Sequence, residues 1–241
     1  MINDIHAEFL KQKHRFILKL LWLGPMVTLG LAIRLMSGRF LMAGAYNWWY
    51  TMILPGSLAM MLAFTVSAEK KHGRHGLFAV CVDKGRLWIA QILVNTILLF
   101  LMNLIFYLFV TVACLFLGIP ISFGETLLAS FVLFLTFMWQ IPVFLWLSEK
   151  AGSVVSILIN LFCNIGFGIF FAPTKFWFVP FAIPARLMCP IIKVMPNGLP
   201  IEGTNHLSDS SVILTGIIIT VVLYVVFMVL TTSLFRRREV K

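Results

Sequence analysis

Six long apolar stretches dominate the pattern of hydrophobic and polar positions along the chain. They lie at about 16 to 36, 46 to 68, 87 to 117, 125 to 147, 153 to 172 and 211 to 235. Each is long enough to cross a hydrocarbon core of about 30 Å as a helix. The stretches lack the period-two alternation of barrel strands, so they predict an all-α membrane protein with six transmembrane helices, the third of them tilted.

Lysine and arginine are divided unevenly between the segments that connect these stretches. Fourteen of the 19 basic residues fall on the side that holds both chain ends. The other five lie on the opposite side, namely Arg34, Arg39, Lys175, Arg186 and Lys193. Basic residues accumulate on the cytoplasmic side of membrane proteins, which predicts a multi-pass protein of the cell membrane with both termini in the cytoplasm.

The composition agrees with a single membrane domain over residues 1–241. Hydrophobic residues make up 61% of the chain and charged residues 12%, and the mean hydropathy is +0.99. The net charge of +10 comes from short clusters beside the apolar stretches, which are typical of topology signals and lipid contacts rather than of nucleic-acid binding. The lipid bilayer is therefore the expected partner, and nucleic acid is not.

The segments at 1–15 and 69–86 are too polar or too short to cross the membrane. In the first, apolar residues recur at helical spacing among charged ones, which predicts an interfacial helix. In the second, the apolar run from Leu77 to Val82 stands between two charged clusters. A run that is too apolar to be left in water needs a packing partner, so we expect this loop to bind another surface.

The segment at 173–210, on the predicted outer side, carries six prolines among aromatic residues. Prolines at such intervals prevent a seventh full helix, while aromatic side chains suit the headgroup layer. The pattern predicts short interfacial or re-entrant helices before the last span.

Motifs of catalysis are lacking in the sequence. It contains no GxxxxGK[ST] phosphate loop, no HExxH and no GxSxG, and its four cysteines are too dispersed for a metal site. Several amide side chains lie within the spans, and among them Asn160 and Asn164 share a helix face. They are expected to form interhelical hydrogen bonds or, alternatively, to contact a substrate.

The loop at 69–86 resembles that of the permeases of type-2 ABC exporters. In that family an N-terminal interfacial helix precedes six spans, and a coupling helix between the second and third spans binds an ATPase. Glu69, the run from Leu77 to Val82, and Lys84-Gly85-Arg86 match the family's glutamate, short apolar helix and basic turn in order. By this resemblance, ATP and Mg are held by a separate ATPase, expected in two copies, and this chain binds no cofactor.

Two further groups of residues resemble the lantibiotic-immunity branch of that family. They are Asn47-Trp48-Trp49-Tyr50 with Pro55, and Ile183-Pro184-Ala185-Arg186 through Cys189-Pro190 to Pro196-Asn197-Gly198. The resemblance implies a transporter permease, not an enzyme, that removes lantibiotic peptide from the membrane and expels it. It also implies a second permease subunit or a second copy of this chain.

The expected contacts follow from the resemblance and the patterns together. The expected ATPase contacts are Glu69, Leu77, Phe78, Val80 and Arg86. The expected substrate-facing residues are Trp177, Phe178, Phe181, Arg186, Asn160 and Asn164. An exporter of another peptide, drug or lipid and a non-transporting membrane scaffold are the alternatives.

Overall fold

The computed structural model describes residues 2–12, 16–36, 38–71, 83–201 and 206–237. It is 84% helical, and the described residues form no strand. The α-helices in this part of the chain are α1 Ile2–Gln12, α2 Phe16–Leu35, α3 Leu41–Trp48, α4 Leu54–Lys71, α5 Lys84–Phe116, α6 Phe123–Phe137, α7 Gln140–Ala151, α8 Ser153–Phe171, α9 Ile183–Ile192 and α10 Ser211–Arg236.

Several of these helices are long and apolar enough to cross a membrane. Five qualify individually, at Phe16–Leu35, Leu41–Lys70, Lys84–Phe116, Ser153–Phe171 and Ser211–Arg236. A sixth is obtained when the bent pair α6 and α7 is counted as one span. The predicted all-α architecture is confirmed for the described residues, which include five or six helices long and apolar enough to span a membrane.

The fourth predicted stretch is broken rather than straight. Helices α6 and α7 meet at Met138 and Trp139 with a bend of 43°. Pro142, in the first turn of α7, has no N–H to donate to the carbonyl four residues earlier, and its ring crowds that carbonyl. The local hydrogen bond runs instead from the amide of Ile141 to the carbonyl of Met138, at 3.1 Å. Proline therefore explains the bend.

The second span begins earlier than its apolar pattern indicates and contains one π-helical turn. This turn, Trp49–Ile53, joins α3 to α4, and the amide of Leu54 donates to the carbonyl of Trp49. Pro55 follows directly and cannot supply an α-helical donor. The turn directs Trp49 into the core, where it stacks on Phe106 with ring centroids 4.4 Å apart.

Helix α9 lies inside the bundle although it belongs to the proline-rich segment. Nine of its ten residues are buried, against α6, α8 and α10. Gly216 of α10 permits this approach, since a Cβ there would lie 2.7 Å from the Leu187 side chain. Helix α10 itself lies at the edge of the bundle and presents most of its surface outward.

Candidate functional site

The predicted ATPase contact falls partly outside the described residues. Leu77, Phe78 and Val80 lie in the segment at 72–82, which the structure does not describe. The remaining two residues of the prediction are described and flank this segment. Glu69 lies near the end of α4, and Arg86 lies in the first turn of α5.

Helix α1 is bound to both flanks. The Nζ atom of Lys11 lies 3.1 Å from an Oε of Glu69 and 2.6 Å from an Oε of Glu8. At the other end of α1, the carboxylate of Asp4 accepts a 3.1 Å hydrogen bond from the guanidinium of Arg86. The amphipathic N-terminal helix therefore joins the residues before the loop to those after it.

The Lys11 contact is the better shielded of the two. Partial burial alone would lower the pKa of Lys11, but hydrogen bonds and attraction from Glu8 and Glu69 outweigh it, and the pKa lies above its ordinary value. The pair between Arg86 and Asp4 is more exposed, with the Arg86 side chain 53% accessible. Exposed pairs contribute at most about 1 kcal/mol. The Lys11 contact is thus the stronger attachment of α1.

The end of α10 is bound to the same region. Asp83 accepts from the Arg236 guanidinium at 2.7 Å and from the amide of Gly85 at 2.9 Å, so it both pairs with α10 and caps α5. The Arg236 hydrogen bond, followed by the Gly85 amide, lowers the pKa of Asp83 below its ordinary value. A Cβ at Gly85 would lie 2.7 Å from Nε of Arg236, so a larger residue there would displace this exposed side chain.

An aromatic contact reinforces this attachment one turn deeper. Trp88 of α5 stacks on Phe235 of α10 with centroids 4.3 Å apart, and its indole N–H donates to the hydroxyl of Thr231 at 3.2 Å. Trp88 is buried. We call the residues around the segment at 72–82 the loop frame: Asp4, Lys11, Glu69, Asp83, Arg86 and Arg236. Four helices, α1, α4, α5 and α10, contribute to it.

The loop frame is suited to holding the segment that it flanks. Its side chains are occupied by one another in ion pairs. Across the described ranges, no group of three or more His, Cys, Asp or Glu side chains is arranged to hold a metal ion. What the frame can do is fix the two ends of the intervening segment relative to the bundle.

The predicted substrate-facing amides form an interhelical cluster. Gln140 Oε1 of α7 accepts from Asn160 at 2.8 Å and from Asn164 at 3.1 Å, and Gln140 Nε2 donates to Asn164 Oδ1 at 2.9 Å. All three side chains are buried. This geometry matches the interhelical alternative of the sequence analysis.

The predicted outer residues differ in exposure. Phe178 is 51% exposed, whereas Trp177 is half-buried. Phe181 packs on Trp139 with centroids 4.9 Å apart. Arg186 is buried, and its guanidinium donates to the carbonyls of residues 206 and 207 at 3.1 and 2.8 Å. Phe178 is therefore the most accessible of the four, and Arg186 fastens the end of the segment to α9.

Sequence reasoning missed most of the loop frame. Asp4, Lys11 and Arg236 were assigned only to amphipathic or topology patterns. Local signals existed at two positions: Glu8 and Lys11 are spaced for an i,i+3 pair, and Asp83 precedes the helix start as an N-cap residue. Gln140 had no local signal that singled it out from other amides.

No model of a known protein family matches the sequence, and no curated protein matches it.

Proposed function

We propose that this chain is the permease subunit of an ATP-driven type-2 ABC exporter. The observation that carries the proposal is the attachment of the amphipathic α1 to both flanks of the segment at 72–82, through Lys11 with Glu69 and Asp4 with Arg86. This is the arrangement expected of a coupling loop held against its own bundle. The resemblance described above supports the same assignment.

The proposed topology has six spans with both termini in the cytoplasm. It counts the bent α6 and α7 as one span, which keeps α1, the loop frame and the end of α10 on one side. The division of basic residues, 14 against 5, supports a cytoplasmic location for that side. Reporter fusions after Lys241 and near Asn205 test it; an external reporter at Lys241 or an internal one at Asn205 would overturn the topology.

In this proposal, the energy for transport comes from a partner protein. ATP and Mg are bound by a separate ATPase, expected in two copies, which contacts Glu69, Leu77, Phe78, Val80 and Arg86. A displacement at the start of α5 would reach α10 mainly through the buried stack of Trp88 on Phe235, because exposed ion pairs are weak. The complex is completed by a second permease subunit or a second copy of this chain.

The proposed cargo is lantibiotic-type peptide, which is removed from the membrane and expelled to give self-immunity. This part rests on the resemblance. It is supported by the exposed aromatic surface near Phe178, which an amphiphilic peptide arriving from the outer side would meet. Trp177 and Phe181 form the less accessible part of that surface.

Co-purification tests the ATPase contact. Phe78→Asp introduces a charge into the apolar run and should abolish co-purification of the ATPase, since an unpaired charge in a contact costs several kcal/mol. Phe123→Asp is the matched control, because Phe123 is 50% exposed in the first turn of α6, where an acidic residue is tolerated. Unchanged co-purification with Phe78→Asp would remove the loop from this role.

Resistance assays test the cargo. Expressed with its ATPase and any partner permease, the chain should raise resistance to a lantibiotic and lower the amount of cell-bound peptide. Alanine at Trp177 and Phe178 should reduce resistance while the complex stays assembled, whereas Phe116→Ala, at an 87% exposed aromatic residue, should not. If an assembled complex exports another compound and protects against no lantibiotic, the immunity assignment fails. If it exports nothing, the transport assignment fails as well.

A further inference from the structure

A second site lies at the end of the bundle opposite the loop frame. It is a pocket of about 450 Å³ between the start of α3 and the turn that follows α9. Its apolar walls are formed by Phe40, Met42, Ala43, Ile192, Val194 and Pro200. Lys193 also lines the pocket and is the only charged residue among the described lining residues.

The wall contributed by the turn is well fixed. The amide of Ile201 donates to the carbonyl of Lys193 at 2.9 Å, and the amide of Met195 donates to the carbonyl of Leu199 at 2.7 Å. Asn47 of α3 donates to the carbonyl of Pro196 at 3.2 Å, which ties the turn to the opposite wall. The pocket is therefore a built feature of the helix ends.

Lys193 occupies a backbone conformation that lysine seldom adopts. It is the C-cap of α9 with φ of 54° and ψ of 42°, in the left-handed region. Among the described residues it is the only one other than glycine with positive φ. Glycine or asparagine is usual at such a helix end, because a Cβ is strained there. Strained residues are concentrated at functional sites, which indicates a role for the Lys193 side chain.

The ammonium group of Lys193 is available for a ligand. The side chain is exposed, and within the described ranges no hydrogen bond or ion pair engages it. The pocket also lies at the level where α2 ends and the next candidate span begins. In a bilayer this level corresponds to the headgroup layer. The ligands available there are phospholipids, in which a phosphate group is joined to hydrocarbon chains.

We infer that the Lys193 pocket binds the phosphate of an anionic phospholipid, with the apolar walls against the lipid's glycerol and first acyl carbons. Charge complementarity selects this occupant, since Lys193 is the only charged residue among the described lining residues and the other six have apolar side chains. The inference rests on the membrane setting of the proposed function and not on the exported compound. It can therefore be tested on the purified chain without ATPase or cargo.

Lipid retention measured by native mass spectrometry tests the inference. The protein is held in phosphatidylcholine nanodiscs with increasing phosphatidylglycerol, then released and the retained lipid is counted. Lys193→Gln should retain about five-fold less phosphatidylglycerol, the effect of one cation near a membrane surface, and Lys193→Arg should retain it as the native chain does. Lys175→Gln, at an exposed lysine of the same end, should have no effect. Equal retention by Lys193→Gln, or an equal loss with Lys175→Gln, would overturn the inference.

Two further measurements separate binding from folding and lipid from free anion. Lys193→Gly should lose retention while its melting temperature stays equal or rises, because glycine removes the strain at φ of 54°. Full retention by this variant would contradict the assignment. Millimolar inorganic phosphate should not displace the lipid, since the apolar walls hold the rest of it; displacement would assign the pocket to free phosphate.

Discussion

Replacement of Gln140 by leucine tests whether the buried amides of α7 and α8 hold the bundle together. Leucine has nearly the volume of glutamine, so the substitution removes hydrogen bonds without a large cavity. It breaks three hydrogen bonds, of 2.8, 2.9 and 3.1 Å, to Asn160 and Asn164. The partner amides are buried and would be left partly unsatisfied.

The expected decrease in the free energy of unfolding follows from the number of hydrogen bonds that are lost. Interhelical hydrogen bonds in membrane proteins contribute about 0.6 kcal/mol each on average, so loss of three predicts a decrease of about 2 kcal/mol in the free energy of unfolding. Two of the three join Gln140 to Asn164. A double-mutant cycle with Asn164→Leu should therefore give a coupling free energy of about 1 kcal/mol.

Unfolding in mixed micelles of denaturing and mild detergent measures these free energies. Gln91→Leu is the matched control: Gln91 is also a buried amide, but no side-chain hydrogen bond joins it to another described residue, and the substitution should be nearly neutral. A coupling free energy below about 0.3 kcal/mol would show that the cluster does not act as an interhelical tie. Loss of export with unchanged stability would instead favour the substrate-contact alternative.

Three other outcomes are expected. Arg186→Gln should lower the free energy of unfolding by about 3 kcal/mol, because two charge-assisted hydrogen bonds are lost; unchanged stability with weaker peptide binding would make Arg186 a substrate contact. Gly216→Ala should lower the melting temperature by overpacking against α9, whereas Gly30→Ala, which has nothing within 4 Å, should not. Because Arg236 lowers the pKa of Asp83 in the folded state, their contact stabilises fully above the ordinary pKa of 3.8 and is lost as pH falls through the lower folded value. The difference in melting temperature between the native chain and Asp83→Asn should therefore shrink in acid.

Helix positions were largely predictable because spans in lipid are specified locally. The first and last stretches, predicted at 16 to 36 and 211 to 235, are α2 at Phe16–Leu35 and α10 at Ser211–Arg236. A run of apolar residues is sufficient to specify such a helix, since its backbone is satisfied within itself. Pro142 was visible too, but whether a proline kinks a span depends on the packing around it.

Contacts between distant segments could not be predicted in the same way. The hydrogen bonds of Arg186 reach residues 20 and 21 positions along the chain, and Arg236 pairs with a residue 153 positions before it. Arg186 was grouped with the outer aromatic residues because its exposure was unknown. Asp83 was recognised only as a charge beside an apolar run, and Arg86 as part of the basic turn and an expected ATPase contact, without its partner in α1. Which partner each would choose depends on helix packing, which the order of polar and apolar residues does not specify.

The position of α10 at the edge of the bundle bears on how the chain is made. Its most apolar 18-residue stretch has a mean hydropathy of 2.9, the highest of the five helices that qualify individually, and only 11% of that stretch is buried. Among the same five helices, Leu41–Lys70 has the lowest mean hydropathy, 1.6, and the largest buried share, 56%. In two-stage assembly, helices first insert individually and then associate. Helix α10 therefore has the composition to partition into lipid unaided during synthesis, whereas the Leu41–Lys70 helix, the least apolar of the five, relies more on packing against its neighbours.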